Sequence, residues 1–259
     1  MRLSRLQRHW DEFGRQDPFW AILTDPSKKG NRWDVDEFFK TGERDIEDVL
    51  AWVTSLGLQV GRSRALDFGC GAGRLTQALA LHFDHVTGVD IAPSMITLAN
   101  SHNRHGERCR YLLNATADLR QIPGASIDFL YSRLVLQHMP PRAIKSYVVE
   151  FVRVLADGGA AVFNVPADPL DAPVTGGFVK THTPMSLVRL RRRLHRVLVG
   201  LWTFPIMEVH GVPPDELVPL LKGHGATIAD VRPDQSHGGA GSGFLYCVTI
   251  SRNDRATSG

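Results

Sequence analysis

Leu66-Asp67-Phe68-Gly69-Cys70-Gly71-Ala72-Gly73-Arg74 is the stretch that decides the fold. Residues 64–68 (RALDF) read as a short buried strand and residues 75–83 as a helix, so a turn of small residues joins them directly. Glycines let the backbone take positive φ and let a ligand come close. The helix start offers free N–H groups and a partial positive charge. In an open α/β sheet, ligands collect beyond the carboxyl ends of the strands, where this turn would sit. The spacing half fits the dinucleotide fingerprint G-x-G-x-x-G. Gly69 and Gly71 match, but Arg74 stands where a third glycine would let the helix pack closely.

Working outward, residues 85–90 (HVTGVD), 109–113 (CRYLL), 126–133 (SIDFLYSR) and 160–165 (AAVFNV) read as four more strands. Between them, Pro93 opens a helix running to about Asn103, and Pro141-Arg142 starts another through Leu155, ended by Asp157-Gly158-Gly159. Such alternation implies a parallel sheet with helices on both faces. Further on come a helix over 214–222 and strands over 227–231 and 244–250. The first sixty residues look helical and aromatic-rich, with Ile46, Val49, Leu50 and Val53 at helical spacing before Gly57. Residues 167–205 break the alternation, first with prolines and glycines, then with a basic helix over 185–202. Its Leu187, Leu190, Leu194, Val197 and Leu201 share one face, largely apart from its arginines. The polar tail 253–259 is expected to be disordered.

The chain's 259 residues suffice for one large α/β domain with decoration. A net charge of +3 gives no reason to expect nucleic acid as partner. Three scattered cysteines (Cys70, Cys109, Cys247) make neither a disulfide framework nor a CxxC pair, so a reducing cytoplasm is expected. The charged N-terminus has no apolar stretch behind it and does not read as a secretory signal. No run approaches the roughly 18 apolar residues of a membrane span.

Two further acids stand near strand ends. Asp90 ends the second strand, where a carboxylate can accept both hydroxyl hydrogens of a ribose; it is equally a solvated strand-end acid. Asp118, in Asn114-Ala115-Thr116-Ala117-Asp118-Leu119, reads either as an adenine contact or as an Asx turn.

Taken in order, these motifs resemble the class I S-adenosylmethionine (SAM)-dependent methyltransferase superfamily, in its small-molecule, bacterial tailoring branch. LDFGCGAGR is similar to the first motif, D/E-x-G-x-G-x-G, with Asp67, Gly69, Gly71 and Gly73 all matching. GVDIAPSMI, GASIDFLYSRLVLQHMPP and EFVRVLADGGAAVFNVP resemble the motifs at the second, fourth and fifth strands, although Ala156-Asp157 replaces the usual residues before the last glycines. Ala115 also stands where many relatives carry an acid. The resemblance implies a Rossmann-like, doubly wound, seven-stranded sheet whose last strand lies antiparallel between the fifth and sixth. A helical lid (1–60) would precede a SAM-binding domain (61–252) with a cap insertion (167–205). It also implies a cofactor site of Asp67, Gly69, Cys70, Gly71, Arg74, Asp90, Ile91, Met95, Ala117, Asp118, Leu119 and Ser132. Asp67 would attract the methionine end, Asp90 the ribose and Asp118 the adenine. Phe39 is a candidate shield for the sulfonium or a plain core aromatic.

Methyl transfer from a sulfonium needs alignment above all, and a hydroxyl acceptor gains from a general base. His138, in Leu136-Gln137-His138-Met139-Pro140, is the candidate base, or else a histidine that only packs. His210 is a second candidate; His182 and His237 are weaker. Glu208 with His210 leaves room for a divalent metal, which is not predicted. Ser132-Arg133-Leu134-Val135 lacks the Asn/Asp-Pro-Pro-aromatic pattern of amino-group methylation on adenine or glutamine, and no cysteine is placed as a pyrimidine nucleophile. The basic helix over 185–202 would cap the acceptor, dimerise or touch an anionic membrane. The expected function is SAM-dependent O-methylation of a small molecule, with a sugar-like acceptor favoured. The alternatives are N-methylation of an amine or protein, and a catalytically silent SAM-binding protein.

Overall fold

The computed structural model describes residues 3–167, 205, 207–236 and 243–251. Three helices lead the chain: α1 (Leu3–Gln16), α2 (Pro18–Ile22) and α3 (Val35–Ser55). Then follow β1 (Arg64–Phe68), α4 (Arg74–Leu79), β2 (His85–Asp90), α5 (Pro93–Ser101), β3 (Cys109–Leu113), β4 (Ile127–Ser132), α6 (Pro141–Val154) and β5 (Leu155–Pro166). After the insertion come α7 (Pro214–Gly223), β6 (Thr227–Asp234) and β7 (Gly243–Thr249). The seven strands lie in the order β3-β2-β1-β4-β5-β7-β6. β7 runs antiparallel to both of its neighbours, as the resemblance implied.

Strand alternation sorts the side chains of β1 between two layers. Leu66 and Phe68 join one apolar cluster with Tyr147, Val148 and Phe151 of α6 and Leu217 and Leu221 of α7. Ala65 joins the other, with Ile46, Val49, Leu50 and Val53 of α3 and Leu75, Ala78 and Leu79 of α4. Asp67 follows the parity of Ala65 and is therefore aimed at the α3/α4 layer. Full burial of a Leu or Phe side chain contributes roughly 1.5–3 kcal/mol, so these two layers supply much of the driving force for folding. The first sixty residues do not act alike: α3 completes the sheet's packing, whereas α1 and α2 lie over the strand tips.

α1 docks on α5 through specific contacts. Asp11 accepts the backbone N–H of Ser94 at 2.8 Å, which caps an α5 that has no side-chain cap of its own. Gln7 donates to the Ile91 carbonyl at 3.0 Å. A Cβ on Gly14 would lie 2.2 Å from the Ser94 hydroxyl, so any larger residue there would have to turn that hydroxyl away from Asp11.

One expected boundary is corrected. The Asp157-Gly158-Gly159 stretch does not end α6, which stops at Val154; it lies inside β5. The β4–β5 register shifts between Ile127 and Phe129, and a Cβ on Gly159 would meet the Ile127 carbonyl at 2.8 Å. A glycine in that bend lets two strands close up rather than a helix stop. The basic helix over 185–202, His182, His237 and the tail 253–259 lie outside the described residues.

Candidate cofactor and acceptor site

The glycine turn is shaped by backbone that other residues adopt at a cost. Gly69, Gly71 and Gly73 have φ of +80°, +52° and +86°. A Cβ at Gly69 would stand 2.3 Å from Val135, and one at Gly71 would stand 2.6 Å from Ile22. Val135 follows β4 and Ile22 ends α2, so the turn is a floor pressed upon from two sides. The N–H groups of Gly69 and Cys70 both donate to the Val89 carbonyl, at 2.8 and 3.0 Å. That ties the turn to β2 and brings Asp90 beside it.

Asp90 is held by the backbone. Its two carboxylate oxygens accept from the N–H groups of Gly71 (2.9 Å) and Ala92 (2.8 Å). Burial raises its pKa, against the pull of those backbone bonds. Each oxygen keeps acceptor capacity for a further donor.

Gly69, Gly71, Asp90, Ile91 and Met95 all border one cavity. Leu6 and Trp10 of α1 and Ala21 and Ile22 of α2 form another wall. The loop after β4 forms a third, with Arg133, Leu134, Val135, Gln137, His138 and Met139. Leu134 has a φ of +61°, and its N–H donates to the Asn164 side-chain oxygen at 2.8 Å. A leucine in that region is strained by about 1–2 kcal/mol, and the Asn164 bond helps hold it.

His138 is buried and borders the cavity. Its Nδ1 lies 2.9 Å from the Glu208 carbonyl oxygen, and its Nε2 lies 3.1 Å from Nε2 of Gln137. A carbonyl can only accept, so Nδ1 carries the proton, and Nε2 of the neutral ring is the lone-pair nitrogen. The Trp10 ring lies 4.9 Å away, centroid to centroid, and fixes the imidazole from the α1 side.

Other residues expected at the cofactor are turned elsewhere. Asp67 is fully buried beneath the glycine turn, where one oxygen accepts the Thr76 hydroxyl at 2.6 Å and the other has no partner. Burial lifts its pKa to about 7, opposed by the Thr76 bond and Arg74. Arg74 is buried against α3, 2.6 Å from Asp45 and 3.2 Å from the Thr41 hydroxyl. Cys70 is a buried filler whose thiol is pushed well up by burial. Asp118 is bound by the Arg120 guanidinium, which holds its carboxyl well below the usual range. Ala117 is exposed; Leu119 belongs to the core, and its N–H donates to Glu150 at 2.7 Å. The Ser132 hydroxyl donates to the Phe68 carbonyl at 3.0 Å. None of these seven is among the residues bordering the cavity. Phe39 is likewise a core aromatic, packed with Phe38 and Ala72. His210 faces Glu208 at 3.2 Å rather than the cavity. Among the described residues, no three His, Cys, Asp or Glu side chains gather as a metal site.

Residues not singled out from sequence also border the cavity. Asn114 follows β3 directly and braces the loop beyond it, donating to the Asp118 carbonyl at 3.0 Å. Gln137, beside His138, was signalled only by adjacency. Trp10 and Ile22 carried no local signal, since their place follows from how α1 and α2 fold back.

A floor of glycines, a backbone-held acid at the next strand tip and an adjoining apolar chamber meet at one end of the sheet, where the resemblance implied a cofactor. Comparison with known proteins agrees: residues 66–163 match the family model described as "Methyltransferase domain". The chain carries the class I SAM-dependent methyltransferase fold. It is similar to a magnesium protoporphyrin IX methyltransferase from Synechocystis PCC 6803 solved with bound SAH, with 18% identity and a TM-score of 0.59 over 96% of this chain and 99% of that one. Among curated proteins it resembles a ubiquinone biosynthesis O-methyltransferase from Xylella fastidiosa, 39% identical over 84 residues, 32% of this chain and 34% of that protein. A protein of the same name from Bordetella pertussis is 28% identical over 132 residues, 51% of this chain and 54% of that protein. The match thus spans about a third to a half of the curated relatives' length. Among the described residues, no helix is long and apolar enough to cross a membrane.

Proposed function

We propose that this protein transfers a methyl group from SAM to a hydroxyl of a small molecule. The observation that carries the reading is that Asp90, the glycine turn and His138 border one cavity. The bound cofactor supplies an electrophilic methyl group on a sulfonium. Asp90 holds the ribose hydroxyls, while Gly69 and Gly71 leave the turn's backbone open to the nucleoside. Ile91 and Met95 cover its apolar faces. Nε2 of His138 accepts the proton of the acceptor hydroxyl once the Gln137 amide yields its place, and the Glu208 carbonyl steadies the proton on Nδ1.

The acceptor class follows from the remaining wall. Leu6, Trp10, Val135, Met139 and Met207 are apolar. Among the described residues of the cavity, apolar side chains outnumber polar ones such as Thr24, Gln137 and Ser236, which suits an apolar ring better than a sugar. A flat acceptor with a phenolic hydroxyl suits the wall better, and the relatives' name, ubiquinone biosynthesis O-methyltransferase, supports oxygen as the accepting atom. A cytoplasmic setting accords with three free, buried cysteines.

Thermal shift with SAM, its product S-adenosylhomocysteine (SAH) and a nicotinamide dinucleotide tests the cofactor. Stabilisation by the first two alone is expected. Methyl transfer to phenols, glycosides and amines, read by mass spectrometry, then tests the acceptor. Turnover confined to amines would replace the hydroxyl reading with N-methylation. Tight SAM binding with no turnover on any acceptor would leave a silent binding protein.

A further inference from the structure

The spatial order of the strands gives the cavity a direction. β3, β2, β1 and β4 are consecutive neighbours, and their tips present Asn114, Asp90, Gly69 and Arg133 in that order. If the ribose sits on Asp90, a tail that crosses the glycine turn toward β4 meets the basic end of this row, and the base is left toward Asn114. Among the described residues bordering the cavity, Arg133 has the one Arg or Lys side chain.

The surroundings of Arg133 leave its charge incompletely matched. Its guanidinium donates to the Tyr131 hydroxyl at 3.3 Å and stands 3.5 Å from Asp45. Asp45 is already taken by Arg74, at 2.6 Å. Two guanidiniums therefore share one carboxylate. Asp234 acts on Arg133 from farther off, and its own oxygens accept from the Asn164 amide at 2.9 Å and from Ser236. The Arg133 side chain is 30% exposed, against 4% for Arg74. A guanidinium has five N–H donors in a fork that matches a carboxylate, and these partners leave most of that fork over.

We propose that Arg133 binds the carboxylate of the cofactor's methionine tail, with Asp45 holding the guanidinium toward it. The assignment rests on the SAM reading above. It also replaces the sequence-based expectation that Asp67 selects the tail: selection passes from the ammonium to the carboxylate.

Calorimetry on the full chain tests this with SAM and decarboxylated SAM, which keeps the adenosine, sulfonium and ammonium and lacks only the carboxylate. The wild type should prefer SAM. Arg133→Gln should weaken SAM binding by about 10–100-fold, the scale of a lost charge-assisted contact, and leave decarboxylated SAM within about twofold. Arg133→Lys should restore part of the preference. Equal weakening of both ligands would make Arg133 a merely structural residue and overturn the assignment, as would an unchanged preference. Binding of neither ligand by the wild type would instead overturn the SAM reading, and the assignment with it.

Discussion

Asp67 stands next to last in β1 and Asp90 ends the neighbouring parallel strand β2, and only Asp90 reaches the cavity. In the β1–β2 register Asp67 pairs with Gly88, so Asp90 stands two residues farther out. Asp67 faces α4 and spends one oxygen on Thr76. Asp90 spends its oxygens on backbone N–H groups at the cavity rim. A similar contrast separates His138, inside the chamber, from Asp118, fastened to Arg120 outside it. An ionisable side chain near a strand tip therefore gains its role from the face it takes and the partners already holding it.

Four substitutions put that contrast at risk. His138→Ala should slow turnover by about 10²–10⁴-fold with SAH affinity intact, measured by steady-state kinetics beside calorimetry. Unchanged turnover would leave His138 as packing for Trp10. Asp90→Ala should weaken SAH binding by roughly 100-fold, since charge-assisted bonds to two ribose hydroxyls are lost. A change of less than about threefold would break the comparison at its centre.

Asp67→Asn should leave SAH affinity within about threefold and show its effect in stability instead. The folded pKa of Asp67, about 7, lies above the ordinary 3.8. Stability linked to this group is fully present below the lower value and is lost as pH rises toward the upper one. The melting temperature of the ligand-free variant should therefore gain on the wild type between about pH 4 and about pH 7 and level off above. A gap that stays level across that range would mean the carboxylate is solvated, not sealed. Asp118→Asn should change SAH affinity by less than about twofold, because an exposed ion pair contributes little. A large loss there would return Asp118 to the adenine site.

The sequence was most legible where one local pattern settles the matter. The β1–turn–α4 unit, the alternation of strands and helices and the antiparallel last strand all stand where the motifs put them. The 157–159 stretch misled because glycines stop helices and also let strands bend, and only the register with β4 separates the two. Of the residues the motifs singled out, Gly69, Gly71, Asp90, Ile91, Met95 and His138 border the cavity. They did not say that strand parity aims Asp67 away, nor that Arg120 claims Asp118. Arg133 was invisible for a different reason: its significance depends on Asp45 being shared with Arg74, a relation among three distant segments.

The seating of α1 on α5 has a practical consequence for where this molecule can be cut. A chain begun at α3 would keep the whole sheet, the glycine turn and Asp90. It would lack Leu6, Trp10, Ala21 and Ile22, and Asp11 would no longer cap α5. Such a fragment would keep the packing between sheet and helices and lose one wall of the cavity. The span that packs the sheet is thus shorter than the span that walls the cavity.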